Sequence, residues 1–201
     1  MSSQVVLQRY EYIVDDSRIS RYALPYRNTI HISDSLRNTP RALSMPISYL
    51  AVVGTPYGNT FHFRLSLVSQ TSSGGRESIR IDVRPTRTDT GISMYAIAVV
   101  EYNPYDFSWS HGPQPFIVPV APGKTAGTFL EVIFTKYHLD QYILVDPGQG
   151  CRHWCATVLD MLTREQLVNS NVPQQFAERE AQEHARFGYS YPIPRIKGTF
   201  Y

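Results

Sequence analysis

The chain has 201 residues, of which 42% are apolar and 18% charged, a composition that fits one domain with enough apolar surface to bury a real core. Its 19 basic and 17 acidic residues leave a formal charge of +2, so there is no electrostatic case for nucleic acid or an anionic membrane as a partner. The two cysteines, Cys151 and Cys155, are too few for a disulfide-rich secreted scaffold.

The longest apolar run, Met94 to Val100, falls far short of the roughly 18 to 20 residues that span a bilayer. Met1-Ser2-Ser3-Gln4 does not begin a signal peptide, and no Asn-X-Ser/Thr acceptor occurs, so a cytoplasmic location is expected. Tyrosine occurs 14 times against 9 phenylalanines, and arginine 16 times against 3 lysines. Tyrosine lines pockets for aromatic ligands, and arginine grips carboxylates, phosphates or phenolates. The same counts also fit surface decoration.

In chain order, Val5-Val6-Leu7 and Tyr10 to Ile13 read as short strands, and Arg27 to Ser48 as mostly loop. Ile47 to Val53 reads as a strand ended by the turn Gly54-Thr55-Pro56-Tyr57-Gly58-Asn59. Phe61, Phe63, Leu65 and Leu67 alternate with His62, Arg64, Ser66 and Val68, which is strand periodicity. After Ser72-Ser73-Gly74-Gly75, Ile79, Ile81 and Val83 alternate with Ser78, Arg80, Asp82 and Arg84, which predicts a hairpin partner. Tyr95 to Tyr102 is a third strand, Asn103 to Pro115 a loop, and Phe116 to Val120 a short strand.

Helical spacing then takes over. Leu130, Ile133, Phe134 and Tyr137 lie on one face of a helix from about 125 to 138, with Thr125 at its cap. Gln141 to Val145 is a short strand, and Asp146 to Gly150 a tight turn. Cys151, Trp154, Cys155, Val158, Leu159 and Leu162 form the strongest helical stripe, over about 151 to 167. A more polar helix covers 173 to 187. The expected fold class is α+β, an antiparallel central sheet of about five strands against two or three helices. One domain spans 1–201, with 1–50 a loosely structured N-terminal arm and 189–201 a tail docked on the body or on a second copy.

The segment Asp146-Pro147-Gly148-Gln149-Gly150-Cys151 runs from strand through glycine turn to helix start. A cysteine in the first helical turn meets unpaired backbone N–H groups and the positive end of the dipole, which favour a thiolate. A nucleophilic cysteine needs a base, and His62 is the first candidate, with His31, His111 and His153 behind it. The opposing reading makes Cys151 a core residue of the Trp154 and Val158 stripe. Cys-X-His-X-Cys within one helix turns His153 away from the cysteines and argues against zinc. The turn lacks the third glycine of a dinucleotide fingerprint, and no other cofactor motif is visible. Glu180 and His184 are helical neighbours and read as a solvated pair. Arg80, Asp82 and Arg84 share a strand face, as do His62, Arg64 and Ser66, so pairing of the two strands would gather a polar patch. That patch is either the solvent side of the sheet or the floor of a polar pocket.

The run from Thr60-Phe61-His62-Phe63-Arg64-Leu65 through Gly150-Cys151-Arg152-His153-Trp154-Cys155 to Lys197-Gly198-Thr199-Phe200-Tyr201 resembles a family of small fungal proteins known as an uncharacterised domain. The resemblance covers roughly residues 55 to 201 and implies a place in fungal secondary metabolism. A more distant likeness is to the permuted papain-like superfamily, in its lecithin:retinol acyltransferase-like branch. There a strand histidine precedes a helix opening on Asn-Cys-Glu-His-Phe, which here implies a base at His62 and a nucleophile at Cys151. Gly150 stands in place of the asparagine. The strand alternation sets His62 on the face opposite Phe61 and Phe63, and no residue presents itself to orient the imidazole.

Three functions follow as expectations. The first is a cofactor-independent thiol enzyme of acyl transfer or hydrolysis, with His62 and Cys151 catalytic and Arg64, Arg80, Arg152, Tyr95 and Trp154 binding. The second is a cofactor-free isomerase or cyclase, of the chalcone-isomerase type, in which histidine moves protons and arginine or tyrosine holds an enolate or phenolate. The third is a non-catalytic binding or assembly protein. The expected ligand is a small molecule, anionic or phenolic, and a homodimer through the aromatic tail is a further expectation.

Overall fold

The computed structural model describes residues 29–71, 74–88, 91–105 and 112–201, without the side chains of residues 87, 88, 91 and 92. The first two strands read from the sequence, together with His111, lie outside the described residues.

Among the described residues, eight strands form one curled sheet: β1 (Ile30–Ile32), β2 (Tyr49–Tyr57), β3 (Thr60–Gln70), β4 (Arg76–Thr88), β5 (Gly91–Asn103), β6 (Phe116–Pro119), β7 (Tyr142–Ile143) and β8 (Thr199–Phe200). Neighbours run in the order β6, β2, β3, β4, β5, β7, β8, all antiparallel, while β1 adds parallel to β5. The sheet is thus larger than the expected five strands. β1 and β8 have only three and two residues, too few for an alternation to be read.

The described residues also hold four α-helices: α1 (Asp34–Arg37), α2 (Ala126–Leu130, continuing as a wider π-type turn over Glu131–Lys136), α3 (Cys151–Arg164) and α4 (Val172–Phe187). Thr125 stands at the cap position of α2, but its hydroxyl meets Thr128 Oγ1 rather than a backbone N–H. The segment read as loop holds β1 and α1, and Ile30, Leu36, Leu43 and Met45 of residues 29–50 are buried in the core.

The hairpin of β2 and β3 corrects the turn boundaries. The strand runs on through Gly54 to Tyr57, and only Gly58 and Asn59 turn. Gly54 serves close packing instead, since a Cβ there would lie 2.9 Å from the Phe63 ring. Gly58, at φ +56°, supplies the turn.

Leu65, Leu67, Ile79, Ile81 and Val83 face α3, whose stripe Trp154, Cys155, Val158, Leu159 and Leu162 is fully buried. Burial of each such side chain contributes about 1.5–3 kcal/mol. α4 turns Val172, Phe176, Glu180 and Glu183 inward. No helix among the described residues is long and apolar enough to cross a membrane.

Candidate active site at the mouth of helix α3

β3 pairs with β2 along nearly its whole length, from Thr60 to Val68, but with β4 only from Leu65 onward. The two strands part at that point. A ladder N–H left without a strand partner must find another acceptor. That of Phe63 donates to Cys151 Sγ at 3.3 Å, so the thiol occupies a place where the β4 ladder would have continued.

Cys151 arrives there because the turn before α3 is tight. Val145 and Gln149 exchange backbone hydrogen bonds of 2.8 and 2.7 Å, and Gly150 stands at φ +118° as the residue before the helix. Only glycine fits: its backbone is left-handed, and a Cβ would lie 3.0 Å from the Tyr142 hydroxyl. No side chain caps α3, so its first N–H groups remain donors beside the sulfur.

His62 and Asp82 come from the facing strands. Ser66 pairs with Arg80 and Leu65 with Ile81, which sets His62, Arg64, Arg80 and Asp82 on one face of the sheet. His62 Nε2 lies 2.5 Å from Asp82 Oδ1, and the Cys151 thiol, which shares the cleft with the imidazole, also favours its charged form. With Nε2 engaged by Asp82, Nδ1 is the nitrogen left for sulfur. The expected orientation away from the thiol is overturned. The thiol stands in the gap between the strands, so an imidazole on the outer face reaches it.

Burial opposes the charged imidazole, but hydrogen bonds and charges of Asp82 and Cys151 outweigh it and raise His62 to about 9. Burial likewise opposes the Asp82 carboxylate, yet the His62 hydrogen bond and the charges of His62, Arg64 and Arg84 hold it below its ordinary range. Cys155, one helical turn on, is a different kind of thiol: burial raises it well above the usual cysteine range.

Cys151 and His62 lie in a cleft of about 480 Å³. The β2–β3 turn with Tyr57, the turn Pro147–Gly150, and the segment carrying Tyr189, Pro192 and Ile196 wall it. Phe61 and Phe63 form part of its lining, packed edge-on against Phe187 and Tyr191 respectively.

The remaining candidates disperse. Arg64 reaches Thr55 Oγ1 at 3.3 Å, and Arg80 pairs with Glu101 on β5, both outside the cleft. Arg152 borders the cleft, but its guanidinium is only 7% exposed and is held by Glu180 at 3.1 Å and by the Pro192 carbonyl. Tyr95 stacks edge-on with Tyr201, away from the thiol. Trp154 is core, its Nε1–H donating to the Leu139 carbonyl at 2.6 Å. His153 lies beside the Tyr142 and Phe200 rings, which pack on each other. Glu180 and His184 are not a solvated pair: Glu180 is buried between Arg152 and Arg195, and His184 Nδ1 is 2.7 Å from the Tyr191 carbonyl oxygen.

Asp82 is the residue that sequence reasoning left among the face charges. The signal for it was the register of β3 against β4, which places it diagonally across from His62.

A family model described as a domain of unknown function, DUF7770, matches residues 51–201. No curated protein matches the chain. No solved structure matches it either.

Proposed function

This chain belongs to the DUF7770 family, and we propose that it is a cofactor-independent thiol enzyme that transfers or hydrolyses the acyl group of a small molecule. One arrangement carries the reading: Asp82 is hydrogen-bonded to His62, and the imidazole and the Cys151 sulfur act on each other in one cleft at a helix mouth. A nucleophile, a base and an orienting carboxylate are the parts that such chemistry requires.

In the proposed step, the thiol proton already resides on His62, which Asp82 keeps in its charged form, and Sγ attacks the acyl carbon as a C–S bond forms. The carbonyl oxygen becomes an oxyanion facing the first N–H groups of α3. His62 returns the proton to the leaving group as its bond to carbon breaks. Water, or a second acceptor, then attacks the thioester, gives its proton to His62, and releases the acyl product with the thiol restored.

The test is mass spectrometry of the protein after mixing with p-nitrophenyl esters of graded acyl size. The expected result is an acyl adduct on Cys151 in the wild type, lost in Cys151→Ala and His62→Ala. Undiminished turnover of these esters by Cys151→Ala would end the reading. That result would favour the isomerase or cyclase alternative, for which the cleft also supplies a His62–Asp82 pair to move protons among aromatic walls.

A further inference from the structure

The residues on either side of Cys151 are both tied to the C-terminal segment, Gly150 through Tyr142 and Arg152 directly. On one side, the fully buried Tyr142 hydroxyl donates to the Gly150 carbonyl at 3.0 Å and accepts from the Gly198 N–H at 2.9 Å. Two glycines therefore sandwich one hydroxyl, and neither has room for a side chain. A Cβ on Gly198 would fall on the Tyr142 ring and the Ile143 carbonyl, just as one on Gly150 would meet the hydroxyl. On the other side, the Arg152 guanidinium lies 3.9 Å over the Tyr191 ring, donates to the Pro192 carbonyl, and shares Glu180 with Arg195. Beyond Gly198, β8 pairs with β7 and the Tyr201 N–H reaches the Gln141 carbonyl.

We infer that residues 191–198 are a strap that positions Cys151, with Tyr142 as the positioning residue that links the strap to the peptide before the nucleophile. Tyr142 does not touch the cleft. It acts through Gly150, whose left-handed backbone sets where α3 begins and hence where Sγ meets the Phe63 N–H and His62. A shift of the order of 1 Å in such a group costs far more rate than stability. This inference rests on the thiol reading above.

The experiment uses the full chain with Tyr142→Phe, which deletes the shared hydroxyl, and Gly198→Ala, which displaces the strap from outside the helix. Iodoacetamide labelling is followed separately at Cys151 and Cys155, with kcat and KM on an activated ester. In both variants Cys151 is expected to label about tenfold slower or more, Cys155 to stay protected, and kcat to fall with KM unchanged. If Tyr142→Phe does not fold, Gly198→Ala carries the same readouts. Cys151 labelling at the wild-type rate overturns the strap alone. So does labelling of Cys155 in step with Cys151, which marks general loosening. A wild type whose Cys151 does not react overturns the thiol reading and the strap with it.

Discussion

His62 and Asp82 stand diagonally across two neighbouring strands, Nε2 and Oδ1 2.5 Å apart, with side chains 21% and 14% exposed. Such a carboxylate holds one ring nitrogen protonated and aims the other. Asp82→Asn keeps the shape and removes the charge. The expected result is about a hundredfold loss of kcat/KM for acyl chemistry, with the alkaline limb near pH 9 moved lower. A pH–rate profile with that limb unmoved would detach Asp82 from the mechanism.

Stability should depend on pH through the same imidazole. His62 binds its proton more tightly in the native state, at about 9, than at its ordinary 6.5. Its contribution is therefore fully present below about pH 6.5 and lost as the pH rises through about 9. Thermal unfolding across this window should show a falling Tm in the wild type and a flatter course in His62→Gln. Equal slopes in the two proteins would contradict the assignment.

Glu180 holds two guanidiniums in a nearly dry setting, Arg152 at 3.1 Å and Arg195 at 2.6 Å. Removing one partner of a buried pair strands the other charges. Glu180→Ala is expected to destabilise the fold by about 3–5 kcal/mol, and Glu180→Gln by less, measured by urea unfolding. A loss within experimental error would mean that water compensates both arginines.

The parts legible in sequence were those with long regular patterns. The alternation of Phe61 to Val68 and of Ser78 to Arg84 predicted β3 and β4, and the stripe from Cys151 to Leu162 predicted the start of α3, though the helix ends at Arg164 and not near 167. The polar patch of His62, Arg64, Arg80 and Asp82 was legible too, because face sharing follows from alternation once two strands pair. What alternation cannot convey is where pairing stops. The separation of β3 from β4 goes with a helix whose first residue lies 88 positions after Phe63, and it brings Cys151 to the strand that carries His62. Glu180 looked solvated because its partners, Arg152 and Arg195, come from other elements. Arg152 and Trp154 looked available because local sequence does not reveal the carbonyls of Pro192 and Leu139 that take their N–H groups.

The opening between β3 and β4 also separates two kinds of evolutionary freedom. Arg64 and Arg84 act on Asp82 through charge from its own face of the sheet, and neither lines the cleft. Tyr189 and Ile196 shape the cleft and are not among the groups that act on His62 or Asp82. Sequence drift on the outer face can therefore retune how firmly His62 keeps its proton while the cavity stays as it is. Drift along the rim can change what fits while the proton-holding machinery is left alone.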